Sequence, residues 1–247
     1  MITYQEFLTL WDNGKNAAGA VEQVVKDHQG SDDYSIAVEA DEYDHQQNRT
    51  IIEYQKTMKT LTGETVIDPF AANNKLPTNL FNKLNTQRNM FSLGNGVNFA
   101  DESIKAKFGY DFDTQLQDLG YFSLIHGVAF GFWNLKKLEV LKLTEFAPLY
   151  DEETSELRAG VRFWQLTAQH PLNIWLYTEA GIMKFVKKSG DQVATAITGA
   201  YEPYVTETAT SPADGERVIG GENYKALPIV PLWGSRLKQS TLIGLKN

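Results

Sequence analysis

The side chains able to do chemistry in this chain are few and scattered. His126 ends an apolar run and precedes a glycine. A catalytic base there would need a nucleophile or an acid within hydrogen-bonding reach, and no neighbouring pattern supplies one. His126 reads instead as a helix-terminal or core histidine, placed where a helix dipole favours a cation. Asp111, Asp113 and Asp118 carry the oxygen chemistry of a cation site, but a helix cap and solvent-facing carboxylates explain them more simply. Asp151, Glu152, Glu153 and Glu156 could meet a metal or a basic partner; their setting is that of a solvated hairpin tip. Gly127, Gly131 and Gly160 lack the G-x-x-x-x-G-K spacing of a phosphate-binding loop. Lys136-Lys137 and Lys187-Lys188 are isolated pairs at turns or strand ends. Trp164, Trp175 and Tyr177 offer ring faces that stack on sugars or bases, against the plainer role of core packing. The expectation is a chain without enzymatic activity, with no catalytic, cofactor-binding or metal-binding residues.

Composition sets the frame for those residues. The chain has 247 residues, enough to bury a core in one or two domains, and 42% of them are hydrophobic. It has no cysteine, which rules out disulfides and thiolate metal sites and suits a reducing compartment. No window approaches the roughly 18 apolar residues of a membrane span, and the first residues lack the basic and apolar runs of a signal peptide. The formal net charge of −8 argues against tight, nonspecific wrapping of nucleic acid. It leaves room for DNA that passes without sticking, because an acidic surface repels it.

The first half reads as helices. Residues 3–11 form one, with Thr3 and Glu6 as a capping box and Gly14 as its stop. Residues 16–28 form a second, with Val21, Val24 and Val25 as the stripe and Gly30 as the cap. Ser31-Asp32-Asp33 starts a third, to about Gln46, whose stripe of Tyr34, Ala37, Val38 and Ala40 or Asp41 is weak. Residues 49–68 suit either helix or extended chain, with turn signals at Thr62-Gly63-Glu64 and Asp68-Pro69. Pro77 opens a helix over 77–92, with Leu80, Phe81, Leu84, Arg88 and Phe91 on one side and Gly94 and Gly96 at its end. Asp101 caps a short helix towards Phe108. Asp111 or Asp113 caps the next, which buries Leu116, Leu119, Phe122 and Ile125 and stops at Gly127.

From Val128 the pattern becomes that of strands, at 128–134, 138–144, 147–150, 159–167, 173–178, 182–187 and 192–198. Four of the five tryptophans lie in or just after this region, as expected for covered sheet faces. Residues 205–226 are polar and read as a long loop. Leu227-Pro228-Ile229-Val230-Pro231-Leu232 is extended, because each proline restrains itself and its predecessor. Ser240 then begins a helical pattern with Leu242, Ile243 and Leu245. Two turns are too short to hold themselves up, so the expectation is a chain cut near the start of a longer helix. The fold class expected is α+β, with amino-terminal helices and a mostly antiparallel β region. The divisions are 1–126 (helical), 127–233 (β-rich) and 234–247 (the start of a helix).

Four stretches, in this order, carry a resemblance. They are Asn73-Asn74-Lys75-Leu76 with the following helix and Gly94-Asn95-Gly96; His126-Gly127-Val128-Ala129-Phe130; Phe146-Ala147-Pro148-Leu149-Tyr150-Asp151 with Leu157-Arg158-Ala159-Gly160-Val161-Arg162-Phe163; and the proline-bracketed strand at 227–232. Together they resemble the amino-terminal half of bacteriophage portal proteins, nearest to the connectors of tailed Bacillus phages. The resemblance rests on order and spacing over about residues 40–247. Where the family often has a Tyr-Tyr…Gly stretch, this chain has Glu42-Tyr43-Asp44, and Trp233-Gly234-Ser235 stands where it often has an asparagine.

The resemblance implies a wing-like fold and a structural role: the wing region of a portal ring, the conduit for DNA packaging and ejection at one capsid vertex. The implied partners are other copies of the chain in a dodecamer, terminase, the major capsid or scaffolding protein, head-completion proteins, and DNA passing without sequence specificity. The implied location is the virion, with assembly in the bacterial cytoplasm and no membrane. The stem helix would begin near Ser240. A head-to-tail ring needs two different patches on each subunit, which the amino-terminal helices and the sheet could supply. Two alternatives from the residues themselves are a ligand- or carbohydrate-binding module on the aromatic strands, and a hydrolase using carboxylates around His126.

Overall fold

The computed structural model describes residues 1–72, 74–134, 137–197, 199–211 and 215–245; the side chains of Glu102 and of 206–220 are left out of the description. Asn73 and Lys136, and the expected chain end at Asn247, lie outside the described residues.

The chain is α+β, with amino-terminal helices followed by mostly antiparallel sheets. Helix α1 (Tyr4–Trp11) starts where the capping box places it: Thr3 accepts the Glu6 amide and the Glu6 carboxylate accepts the Thr3 amide. A 3-10 turn (Asp12–Gly14) leads to α2 (Ala17–Gln29), which buries Val21, Val24 and Val25. Helix α3 (Asp32–Asp44) is capped by Ser31 and buries only Ala37 and Ala40, as its weak stripe implies; it ends two residues before Gln46. Residues 49–68 resolve into a short helix, α4 (Arg49–Ile52), and an antiparallel hairpin of β1 (Thr57–Lys59) and β2 (Thr65–Ile67).

Helix α5 (Leu80–Leu93) departs from the sequence reading in two ways. It starts at Leu80 after Asn79 rather than at Pro77. Its buried positions are Phe81, Asn85 and Asn89, while Leu80, Leu84, Arg88 and Phe91 face outward. The apolar stripe was rotated by about one residue because the helix has polar work to do inside: Asn82 donates to Asp44, and Asn89 donates to the Gln117 carbonyl. Asp101 caps α6 (Glu102–Lys107) through the Ser103 amide. Helix α7 (Phe112–His126) follows Asp111, whose side chain makes no cap bond. Leu119 and Ile125 are buried in α7, and Leu116 and Phe122 only half so.

The strands form two main sheets. Strands β3 (Val128–Trp133), β4 (Leu138–Lys142) and β12 (Ile229–Trp233) make a three-stranded sheet in the order β12-β3-β4. Strands β5 (Phe146–Tyr150), β6 (Leu157–Trp164), β7 (Leu172–Thr178), β8 (Gly181–Lys187) and β9 (Thr195–Ala196) make an antiparallel meander in chain order. The strand expected over 192–198 is only Thr195–Ala196, and Thr198 is outside the described residues. The loop expected over 205–226 is instead a hairpin of β10 (Val205–Ser211) and β11 (Gly215–Glu222). Its Thr- and Gly-rich text has no clean polar–apolar alternation, the signal a half-buried strand would give. Helix α8 (Thr241–Leu245) ends the described chain.

Alternation along the meander sorts its side chains into two cores. Ala159, Val161, Phe163, Ile174, Leu176 and Phe185 face α1 and α2, where Phe7, Val21 and Val24 close the first core. Phe146 and Tyr177 point the other way, onto Phe130 and Phe132 of β3. Gly160 makes this second core possible: a Cβ there would overlap the Phe146 ring. A third, smaller core joins Ala40, Phe81, Ile125 and Leu242 from four helices. Among the described residues no helix is long and apolar enough to cross a membrane.

His28 gives the first core a pH dependence. It is buried at the end of α2, 2.8 Å through Nε2 from the Leu143 carbonyl, so Nε2–H donates, while Nδ1 has no hydrogen-bond partner among the described residues. Burial lowers its pKa below the ordinary 6.5. Between that lowered value and 6.5 the unfolded chain binds the extra proton, so stability rises with pH through this window and levels off above it. Urea melts should show wild-type stability falling as pH drops below 6.5, with His28→Gln removing part of the slope. An identical slope in the variant would show that His28 is not buried in its neutral form.

Candidate functional site

The place where most polar side chains converge is the carboxyl end of α7. A helix end leaves four carbonyls without intrahelical partners, and here the chain from 234 to 241 comes back to meet them. The Ser240 hydroxyl donates to the Ile125 carbonyl. The Thr241 hydroxyl lies 3.1 Å from the Leu124 carbonyl and 2.9 Å from the Asn85 side-chain oxygen, sharing one proton between two acceptors. The Gly234 amide donates to the Gly127 carbonyl at 3.1 Å. Gly127 turns the chain from α7 into β3 with φ at +89°, and a Cβ there would sit 2.8 Å from the backbone of Gln239 and Ser240. Only glycine allows both the turn and the close approach.

His126 is buried beside this turn. Its Nε2 is 2.8 Å from Asp41 of α3, its ring stacks on Phe122, and its Nδ1 is buried with no hydrogen-bond partner among the described residues. Histidine, aspartate and serine therefore meet here, as in a nucleophilic triad, but without its geometry. Ser240 gives its proton to Ile125, and no hydroxyl or carboxylate is within hydrogen-bonding reach of Nδ1. The pair ties α3 to the end of α7. One α-turn earlier a second tie does the same: Tyr121 donates to Asp44, and Asn82 reaches both. Burial, then the Asp44 hydrogen bond, pushes the Tyr121 phenol well above its ordinary range.

The other candidates do not gather here. Asp113 sits at the opposite end of α7, roughly 20 Å away at 1.5 Å per residue. It accepts the Val97 amide and pairs with Lys105 at 2.7 Å, and these contacts hold its carboxyl below the usual range. Asp118 is raised by partial burial, opposed by Lys142. Asp151 folds the 151–156 turn by accepting the Glu153 and Thr154 amides, the Thr154 contact doing most to lower its pKa. Lys187 pairs with Glu22 at 2.8 Å. Among the described residues no group of three or more His, Cys, Asp or Glu could hold a metal ion.

Tyr177 is core, and burial pushes its phenol up to about 12. Trp164 and Trp175 are half-buried and pack edge to face, with centroids 5.0 Å apart. Arg162 lies 4.9 Å over the first ring and Lys184 4.8 Å over the second. Arg162 is paired to Glu139 and Lys184 to Glu202. These indoles have cations stacked on them, which takes up ring surface that a sugar or base would use.

Asp41, Asn85, Asn89 and Ser240 were missed from the sequence. Asp41, Asn85 and Ser240 meet the end of α7 only through long-range packing of α3, α5 and the 234–241 segment, while Asn89 holds α7 further back, at the Gln117 carbonyl. The one local signal was polar residues, Asn85 and Asn89, at a four-residue spacing between apolar ones. No family model matches the chain, and a search of curated proteins finds no match.

Two substitutions separate the glycine turn from the hydroxyl cap. Gly127→Ala forces a left-handed alanine, costing about 1–2 kcal/mol, and crowds the backbone, costing about 1–3 kcal/mol more. Ser240→Ala leaves the Ile125 carbonyl unmet, costing about 1–3 kcal/mol. Urea denaturation should therefore rank Gly127→Ala as the more damaging. If Gly127→Ala were neutral, the turn would not be the close-packed junction described.

Proposed function

We propose that this chain is the wing region of a phage or prophage portal subunit, a structural part of the ring through which DNA enters and leaves the capsid. The observation that carries the reading is the path around Gly127. Helix α7 turns there into β3, and β12 pairs with β3 from Val128 to Phe132 before the chain returns, as α8, to the end of α7. The two stretches that carry the resemblance at 126–130 and 227–232 thus lie side by side, which supports the reading. A long helix continuing from α8 would start from an anchored first turn, because Leu242 is buried against Ile125 and Phe81.

The role proposed is mechanical and involves no enzyme activity, cofactor or metal. Its partners are other copies in a dodecameric ring, terminase, capsid or scaffolding protein, head-completion proteins, and DNA held without sequence specificity. The location is the virion vertex. The net charge of −8 suits a surface past which DNA slides. The alternative, a binding module on the aromatic strands, draws less support because Arg162 and Lys184 already stack on Trp164 and Trp175.

The test is electron microscopy and light scattering of the product of the native gene. Closed rings, with a mass near twelve subunits, are expected. A product that stays monomeric at its highest soluble concentration would overturn the reading.

A further inference from the structure

Helix α5 is packed with its polar side inward. Asn82, Asn85 and Asn89 are spent on Asp44, Thr241 and the Gln117 carbonyl, while Leu80, Leu84 and Phe91 stand 55%, 43% and 95% exposed. Beside this outward face lies a groove of about 480 Å³, lined by Leu84, Arg88, Leu237, Ile243 and Leu245. Every charged residue of α5 and of 234–245 is a cation: Lys83, Arg88, Arg236 and Lys238. Of these, Arg88 lines the groove and Lys238 lies 4.7 Å over the Trp233 ring, so in a chain of net charge −8 the two segments that form this apolar groove carry only positive charge.

The same chain carries the complementary surface. Helix α1 and the 151–156 turn hold Glu6, Asp151, Glu152, Glu153 and Glu156, with no lysine or arginine among them. They form one surface, because Thr3 donates to Glu152 at 2.6 Å and Gln5 to Asp151 at 2.8 Å. Leu8, 47% exposed, stands one turn along α1 from Gln5. The acidic surface covers the first core and the groove adjoins the third.

We infer that the groove between α5 and 234–245 receives the acidic end of a second copy of this chain. Leu8 enters between Leu84 and Leu237, and Glu6 and the 151–156 turn face Arg88 and Arg236. The contact joins unlike surfaces, so it is head-to-tail and repeats until it closes. Closure into a ring, but not the contact itself, rests on the portal reading. The apolar part supplies adhesion and the charges supply orientation, with a salt dependence set by a screening length of about 8 Å at physiological ionic strength.

Sedimentation equilibrium on the full chain tests this with two double variants, each checked for wild-type melting. Arg88→Glu with Arg236→Glu spoils the groove, and Glu153→Lys with Glu156→Lys spoils the acidic end. Wild type is expected to associate beyond dimer, more strongly at low salt. Each variant alone should associate about tenfold or more weakly, the effect of roughly 1.4 kcal/mol. An equimolar mixture should regain association beyond dimer, because each intact acidic end meets an intact groove and each reversed end meets a reversed groove. All four substitutions in one chain should restore association. Wild type that remains monomeric, variants that associate like wild type, or a mixture that associates no better than either variant alone would each overturn the inference. Rings of the native gene product that survive Arg88→Glu with Arg236→Glu would sink this contact and leave the portal reading standing. Loss of rings in wild type would sink the portal reading instead.

Discussion

The constraint on which the rest depends is the unfinished carboxyl end of α7. A helix of 15 residues runs into a buried strand with only Gly127 between them. Its last carbonyls are too deep to be left to water, and an unmet buried carbonyl costs about 1–3 kcal/mol. The chain meets them with residues more than a hundred positions away, Ser240 and Thr241. That requirement brings β12 against β3, sets the register Trp233 to Val128, and delivers α8 to the third core. The two sheets then stack because β3 presents Phe130 and Phe132 to the meander, whose Gly160 makes room for Phe146.

Polar side-chain pairs reinforce this junction more than they create it. The His126–Asp41 hydrogen bond is short and largely shielded, while the other ring nitrogen, Nδ1, is unmatched among the described residues. A buried hydrogen bond adds only about 0.5–1.5 kcal/mol net, while losing one member leaves a buried group unsatisfied. Its effect is to fix where α3 sits, not to add large stability. The exposed pairs, such as Arg158 with Glu179 at 3.4 Å, contribute little.

Much of this was legible in the sequence, for local reasons. The capping box at Thr3, the caps at Ser31 and Asp101, the glycine stop at Gly127 and the alternating strands all act within a few residues. The errors fall where distant partners decide. Leu84 and Phe91 look like a core stripe by spacing, but Asp44, Gln117 and Thr241 claim the other side of α5 for its asparagines. Pro77 is permitted at a helix start, yet the helix waits for Leu80. The β10–β11 hairpin pairs through backbone groups that any sequence carries, so its composition did not announce it. The junction at Gly127 was visible as a turn, but its partner Ser240 was not, because hydroxyl-to-carbonyl capping over 115 positions leaves no periodic trace.

The rotation of α5 joins the fold to the proposed role. A monomer with no further partner would gain by turning leucine and phenylalanine inward, at about 25 cal/mol for each Å² removed from water. The chain instead spends the inner face of α5 on asparagines that hold α3, α7 and the 241 position in place. Leu80, Leu84 and Phe91 are thereby left outside, beside Lys83 and Arg88 of the same helix. Such an arrangement sacrifices stability in the single chain. It becomes favourable once another molecule covers the face, since the same apolar area is then buried between subunits. Two groove-forming segments whose charged residues are all cations also restrict which surface can do the covering. Like charges exclude most of the chain's own exterior, and the α1 end, with its exposed Leu8, is the part that fits both the charge and the apolar requirement.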